Sequence, residues 1–91
     1  MLKVRARREA AGWTCDVEVD EAGERTAHAV TVAAKDLERY GAGDGEAAVE
    51  DLVRRSFEFL LAREAPSAIL RRFDLSLIRR YFPEYDQTFQ A

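Results

Sequence analysis

The first third of the chain alternates between apolar and polar residues, a pattern typical of half-buried β-strands. The alternation covers residues 2–8, residues 13–20 and residues 25–33. The intervening segments, EAAG and EAGE, are short and contain glycine, as β-hairpin loops do. Together these segments predict a three-stranded antiparallel meander with one apolar face and one polar face.

Charge and hydrophobicity agree on one register for these strands. If Arg8 pairs with Trp13, then Arg5 lies opposite Asp16 on the polar face. Opposite charges placed in this way stabilise a sheet by about 0.2–1 kcal/mol for each pair. The other pairs that this register implies are Lys3–Glu18, Val4–Val17, Ala6–Cys15, Val17–His28 and Asp20–Arg25.

The second half of the chain predicts helices. The segment AKDLERY predicts one or two helical turns that end at Gly41. A main helix is predicted over about residues 45–64, because apolar residues from Val49 to Leu61 follow helical spacing. Asp44 is its expected N-cap and Pro66 ends it.

Two short helices are predicted after the main helix, over about residues 67–72 and residues 75–82. Asp74 is the expected N-cap of the second one, with Phe73 packed onto Ile78 as a hydrophobic staple. The tail, residues 83–91, is polar apart from Tyr85 and Phe89, and we expect it to be only partly ordered.

These elements predict an α+β fold: a three-stranded antiparallel β-meander followed by one main helix and two short C-terminal helices packed on one sheet face. Ninety-one residues suit a single small domain over residues 1–91. A chain this short buries roughly two-thirds or less of its unfolded surface, so we expect a homodimer. It would form through the third strand, if Ala27, Ala29 and Thr31 lie at a free edge, or through Phe59, Leu61 and the C-terminal aromatic residues.

Composition limits which cellular compartment and which classes of partner we expect. The net charge of −3 offers no overall basic field to gather nucleic acid or anionic lipid. No apolar run approaches the about 20 residues that span a bilayer, and the N-terminus lacks the apolar run of a signal peptide. A single cysteine, Cys15, suits a reducing compartment. We therefore expect a cytoplasmic protein without a membrane partner.

Cys15 and His28 are the only cysteine and histidine, and the register makes them diagonal neighbours on the apolar face. A cysteine activated by histidine is a nucleophile arrangement, but it also needs solvent access and a third group to orient the base. The sequence nominates no third group. A buried thiol beside a structural imidazole is the simpler interpretation, so we assign no catalytic residue.

Two further patterns resemble ligand sites only superficially. The acidic segment DVEVDEAGERTA lacks the ligand order of an EF-hand loop. The glycine-rich GAGDGE lacks the lysine and hydroxyl of a phosphate loop and carries Asp44 and Glu46 where an anion would bind. We assign neither a metal nor a cofactor.

The C-terminal third interleaves seven of the nine aromatic residues with three arginine pairs, Arg54–Arg55, Arg71–Arg72 and Arg79–Arg80. Arginine beside aromatic rings can bind nucleic-acid backbones and stacked bases. Nearby carboxylates can instead pair with these arginines, and arginine packing over aromatic rings is common. The expected partner surface comprises Phe59, Tyr81, Tyr85, Phe89, Arg71, Arg72, Arg79 and Arg80.

Two C-terminal segments, SFEFLLARE and FDLSLIRRYFPEY, resemble the C-terminal block of a group of short uncharacterised bacterial and archaeal proteins. The resemblance covers about a third of the chain and implies neither an activity nor binding residues. The order of three strands followed by a helix is also similar to partial-barrel antitoxins of the HicB kind, which is an analogy of fold alone.

The sequence thus favours a noncatalytic protein–protein interaction module that acts as a homodimer. The alternative is an antitoxin-like or regulatory protein that contacts nucleic acid through the paired arginines. An enzyme that uses Cys15 and His28 is the third hypothesis.

Overall fold

A four-stranded mixed sheet and four α-helices make up the α+β fold of residues 1–89, the part of the chain that the computed structural model describes. The strands are β1 (Leu2–Glu9), β2 (Gly12–Glu21), β3 (Glu24–Ala33) and β4 (Arg72–Asp74). The helices are α1 (Ala34–Tyr40), α2 (Glu46–Leu61), α3 (Leu77–Tyr81) and α4 (Glu84–Phe89), and a 3-10 turn spans Pro66–Ala68.

The meander and its register are confirmed pair by pair. Arg8 pairs with Trp13 and Arg5 lies opposite Asp16 in the antiparallel pair of β1 and β2. The remaining predicted pairs, Lys3–Glu18, Val4–Val17, Ala6–Cys15, Val17–His28 and Asp20–Arg25, are also formed. Pairing continues to Glu9–Gly12 and Glu21–Glu24, so each hairpin loop is two residues shorter than the sequence pattern indicates.

The helix predicted over residues 67–72 is wrong. The chain instead makes the 3-10 turn and then runs extended into β4, which pairs with β3 in parallel. The Ala29 N–H donates to the Arg71 carbonyl and the Leu75 N–H donates to the Thr31 carbonyl, each at 2.8 Å. A six-residue helix has little stability of its own. The unpaired edge of β3 offers hydrogen bonds that an isolated helix cannot match.

This fourth strand also changes the expected dimer edge. β4 covers β3 at Ala29 and Thr31, while Ala27 stays exposed beyond it. The edge of β3 that was predicted to pair with a second copy is therefore largely covered by β4 of the same chain.

The other helix boundaries differ in detail. α2 is shorter than predicted, because the N–H groups of Arg63 and Glu64 turn back onto the Leu60 carbonyl. The N-cap predicted at Asp44 is wrong, since Gly45 occupies that position and no side chain within residues 1–89 caps the helix. α1 ends at Gly41, as expected.

At the C-terminal end, α3 begins two residues later than predicted, because Ser76 rather than Asp74 occupies its N-cap position. The tail forms α4, and the side chains of Tyr85 and Phe89 are buried. This corrects the expectation of a partly ordered tail as far as residue 89. Residues 90 and 91 lie outside the described part of the chain.

The core lies between the apolar face of the sheet and the helices, in one cluster of buried side chains. Its fully buried members include Val17 and Val30 on the sheet and Leu52 and Phe57 on α2. Phe59 extends this core toward the C-terminus, because its ring contacts the rings of Phe82, Tyr85 and Phe89 edge-on at 5.4–5.9 Å. Aromatic contacts thus attach the last two helices to α2.

α2 also covers the free edge of β1. The Ala6 N–H donates to Glu50 Oε2 at 2.9 Å, and Arg54 Nη1 donates to the Leu2 carbonyl at 3.2 Å. Uncovered strand edges pair readily with other chains. Two helix side chains therefore satisfy backbone groups that a neighbouring strand would otherwise seek.

Candidate functional site

An apolar groove of about 210 Å³ opens between the segment that follows α2 and helix α3. Most of its lining is aliphatic or aromatic, from Leu60, Leu70, Phe73, Leu77, Tyr81 and Phe82. Leu70 is 52% exposed and Tyr81 is 68% exposed, although most large apolar residues of the described chain are buried or half-buried. One carboxylate, that of Glu64, also lines the groove. We call this surface the C-terminal groove.

One wall of the C-terminal groove is held by His28. Its Nδ1 lies 2.7 Å from the Leu70 carbonyl oxygen, and its Nε2 lies 2.8 Å from Thr26 Oγ1. A carbonyl only accepts hydrogen bonds, so Nδ1 carries a proton and donates it to Leu70, while Nε2 shares a hydrogen bond with the Thr26 hydroxyl. The ring also packs against Phe57 at 5.3 Å. The imidazole therefore fixes the backbone position of Leu70.

Asp74 ends β4 just before α3 and follows the groove residue Phe73. Its carboxylate accepts hydrogen bonds from Thr31 Oγ1 at 2.6 Å, from Ser76 Oγ at 2.6 Å and from the Ser76 N–H at 3.1 Å. Burial alone would raise the pKa of Asp74, but the hydrogen bonds from Ser76 and Thr31 outweigh it and hold the pKa below its usual range. An ionised Asp74 thus orients α3 on the sheet.

The structure separates the three arginine pairs. Arg79 points inward, with Nη1 at 3.3 Å from both Asp36 Oδ1 and the Tyr40 hydroxyl. Arg55 forms an ion pair with Asp51 at 2.9 Å and lies over the ring of Phe89. Arg54 donates to a carbonyl of β1, as described above. Three of the six paired arginines therefore have partners within their own chain.

The other three, Arg71, Arg72 and Arg80, are exposed and form no ion pair or side-chain hydrogen bond within residues 1–89. Arg71 follows Leu70 and Arg80 precedes Tyr81 in the chain, but neither arginine lines the C-terminal groove. Arg72 pairs with Ala29 in β4 and alternates with the inward-facing Phe73, which places it on the outer face of the sheet.

Three aromatic residues expected on the partner surface belong to the core instead. Phe59, Tyr85 and Phe89 are 7%, 1% and 8% exposed. The Tyr85 ring stacks on Phe89 at 4.3 Å, and its hydroxyl lies 2.7 Å from Ser56 Oγ. These rings are buried where α4 packs against α2, so they offer no surface to a partner of the folded chain. Tyr81 is the member of the four that stays exposed.

A partly buried polar cluster joins α1 to the C-terminal helices and was missed in the sequence. Asp36 is buried in α1 and contacts Arg79 of α3, while the Tyr40 hydroxyl donates to Asp86 of α4. Arg39 also pairs with Asp86, at 3.3 Å. The pKa of Tyr40 is raised, first by burial and then by its hydrogen bond to Asp86. The four-residue spacing of Asp36 and Tyr40, which puts both on one helix face, was the available signal.

The structure does not assemble a nucleophile from Cys15 and His28. Cys15 is fully buried, and burial together with the nearby carboxylates of Glu50 and Asp16 raises the pKa of its thiol to about 12. A catalytic thiol requires a lowered pKa and access to solvent. Both His28 nitrogens are already bonded to Thr26 and Leu70, which leaves none to take the thiol proton.

Two of the four acidic residues of β2 form ion pairs with arginines of the protein. Asp16 forms its ion pair with Arg7, diagonally across the strands, at 3.3 Å, and Asp20 pairs with Arg25 at 3.2 Å. Within residues 1–89, no group of three or more His, Cys, Asp or Glu is arranged to hold a metal ion. Over the same residues, none of the helices combines the length and the apolar character needed to cross a membrane.

Comparisons with protein-family models, with curated proteins and with solved structures find no match to this chain. The resemblance of SFEFLLARE and FDLSLIRRYFPEY to the C-terminal block of short bacterial and archaeal proteins stays a prediction.

Proposed function

We propose that this protein is a noncatalytic protein–protein interaction module and that the C-terminal groove is its docking surface. One observation carries the proposal. Two large apolar residues that line the groove, Leu70 and Tyr81, are 52% and 68% exposed, whereas the core buries most other large apolar residues of the described chain.

The energetic reason lies in the two exposed apolar side chains. Fully burying a large apolar side chain stabilises a protein or a complex by about 1.5–3 kcal/mol. The core already contains eight of the nine aromatic residues at least in part, and Tyr81 alone is exposed. Tyrosine and arginine are also the residues that most often dominate binding energies at interfaces. Tyr81 therefore gains more from a partner than from its own fold.

The size of the groove favours a protein partner over a small molecule. Sites for small molecules and cofactors typically enclose about 300–1,000 Å³. The C-terminal groove, at about 210 Å³, is smaller and open to solvent. It fits the anchor side chains of another polypeptide better than a whole cofactor.

The two other partners expected from the sequence gain less support. A two-fold dimer through this groove would place Arg71 and Arg80 of both copies in one interface, where like charges repel. Nucleic-acid binding through the paired arginines loses the three that are held by their own chain. Both remain predictions, which labelled single-stranded RNA or DNA at low salt and light scattering across micromolar concentrations would test.

Selection from a displayed library of random short peptides tests the proposal. Peptides enriched on the wild-type chain are measured against Leu70→Ser and Tyr81→Ser, with Ala10→Ser as the control at an exposed turn far along the chain. We expect each groove substitution to weaken binding about tenfold, because about 1.4 kcal/mol of apolar burial is lost. Peptides that bind all three variants as well as the wild type would contradict the proposal.

A further inference from the structure

We infer that the outer edge of β4 pairs with the same edge of a second copy of this chain, antiparallel and around a two-fold axis. The sheets of the two copies then form one continuous sheet. This dimer goes beyond the proposed function, because it uses the edge of β4 rather than the C-terminal groove.

Half of the backbone groups of β4 point away from the sheet. The Arg71 carbonyl and the Leu75 N–H bond to β3, and Phe73 lies midway between them. Successive residues of a strand direct their N–H and C=O groups to alternate sides. The backbone groups of Arg72 and Asp74 therefore point outward, and they form no hydrogen bond within residues 1–89.

The two edges of the sheet differ in this respect. At the β1 edge, Glu50 and Arg54 of α2 bond to backbone groups of the strand. No side chain within residues 1–89 does the same for the outward groups of β4. A strand edge with unpaired backbone groups pairs readily with another strand.

The sequence of β4 is complementary to itself. A two-fold axis at Phe73 places Arg72 of each copy opposite Asp74 of the other copy. Both residues direct their backbone groups at the partner strand, so each such pair exchanges both of its backbone hydrogen bonds.

The side-chain charges select this register. Arg72 is exposed on the outer face and forms no ion pair within residues 1–89. Asp74 lies on the same face, where its Oδ1 atom accepts from Thr31 and can accept a second hydrogen bond. Opposite charges directly across two strands stabilise their pairing and like charges destabilise it. An axis at Arg72 or at Asp74 would instead place like charges opposite each other.

The pairing stops at two copies. It uses the β4 edges of both chains at once, and the β1 edges that remain at the two ends are covered by α2. A two-fold contact of this kind is closed, so it does not lead to open-ended assembly. A chain of 91 residues has a small core and gains stability from a shared sheet.

Light scattering from micromolar to millimolar concentrations tests the dimer. We expect the mass of the wild type to double over this range. Arg72→Glu places a carboxylate opposite Asp74 in both pairs, and it should raise the dissociation constant about tenfold. Arg71→Glu is the matched control, because it changes the net charge equally at a residue that lies opposite Leu75 of the other copy. Its dissociation constant should match that of the wild type.

A second variant tests the backbone hydrogen bonds. Arg72→Pro removes an N–H that the fold of the single chain does not use, and proline is tolerated on an edge strand where its position faces outward. We expect the variant to remain monomeric, with the far-ultraviolet circular dichroism of the wild type. In the wild type, the Arg72 and Asp74 amides should exchange hydrogen slowly at high concentration and rapidly after dilution.

The outcomes are distinct. A wild type that keeps the mass of one chain throughout overturns the inference, as do equal dissociation constants for Arg72→Glu and Arg71→Glu. A dimer that persists in Arg72→Pro but is lost in Leu70→Ser also overturns it, in favour of a contact through the C-terminal groove. Peptide binding by the groove is measured separately, so the dimer and the proposed function can fail independently.

Discussion

His28 illustrates how one residue can matter for a reason that its sequence context does not reveal. The alternation of β3 places it correctly on the apolar face, beside Cys15. The structure then uses both ring nitrogens for hydrogen bonds, one of them to the Leu70 carbonyl, 42 residues away in the chain. No local pattern identifies that partner, because a backbone carbonyl carries no sequence signature.

His28→Phe should show that this hydrogen bond holds the groove wall. The ring packing on Phe57 is retained, but the Leu70 carbonyl and the Thr26 hydroxyl lose their partner. We expect the free energy of unfolding to fall by about 2 kcal/mol or more, and the peptide affinity of the C-terminal groove to fall with it. Thr26→Val, which removes only the second hydrogen bond, should cost about 1 kcal/mol and preserve binding. Urea unfolding checks both, and equal stability of His28→Phe and the wild type would contradict the role.

Tyr81 and Tyr85 show the same difficulty for aromatic residues. They lie four positions apart in a segment dense with aromatic residues, and the sequence pattern treats them alike. Tyr85 is 1% exposed and Tyr81 is 68% exposed. The difference arises because α4 folds back onto α2, where Ser56 meets the Tyr85 hydroxyl, while α3 leaves Tyr81 at the mouth of the groove.

At the scale of elements, the hairpins are the best-predicted part of the fold. Alternation selects the buried face, and cross-strand charges select the register, so two independent signals agree. The parallel strand β4 was not predicted from the sequence, because three residues are too few for a recognisable alternation. The sequence of these residues, RFD, is equally consistent with a connection between two helices.

The two hairpin glycines should respond differently to alanine. A Cβ at Gly12 would lie 2.2 Å from the Val32 carbonyl oxygen, a position that the backbone must move to relieve. A Cβ at Gly23 meets nothing within 4 Å, and there only the backbone angle φ of 80° is unfavourable. We expect Gly23→Ala to cost about 1 kcal/mol and Gly12→Ala clearly more, about 2–3 kcal/mol. Thermal unfolding compares them, and equal costs would argue against the close approach at Gly12.

The contact between α2 and the edge of β1 makes a second prediction at this scale. Glu50→Ala removes the acceptor of the Ala6 N–H and should lower the free energy of unfolding by about 1–3 kcal/mol. It should also promote aggregation, because the strand edge becomes free to pair. Glu50→Gln keeps an acceptor oxygen and is the matched control. Glu50→Ala that stays as soluble and as stable as Glu50→Gln would refute the edge-covering role.

For the whole molecule, the buried thiol of Cys15 and the buried phenol of Tyr85 predict a loss of stability at alkaline pH. An exposed thiol ionises near pH 9.0 and an exposed phenol near pH 10.0, whereas burial raises the pKa of both Cys15 and Tyr85 to about 12. Between these values the unfolded chain releases protons that the folded chain retains. The free energy of unfolding is therefore highest below about pH 9 and falls as the pH rises toward 12.

The thiol should dominate this fall. Each tenfold difference in acidity corresponds to about 1.4 kcal/mol, so Cys15 alone accounts for a loss of about 4 kcal/mol by pH 12. Cys15→Ala should be less stable at neutral pH but should lose stability less steeply above pH 9. Denaturant unfolding over this range measures the slope, and an unchanged slope in Cys15→Ala would show that the thiol is not its source.

The strands of the meander, their register and the existence of α1 and α2 follow from the sequence, because alternation, cross-strand charge and helical spacing are encoded in neighbouring residues. Long-range contacts settled the rest: β4 on the edge of β3, Asp36 with Arg79, Tyr85 with Ser56 and His28 with Leu70. Each of these joins residues from 29 to 43 positions apart in the chain. The groove depends on them, because it lies between segments whose relative position no local pattern specifies.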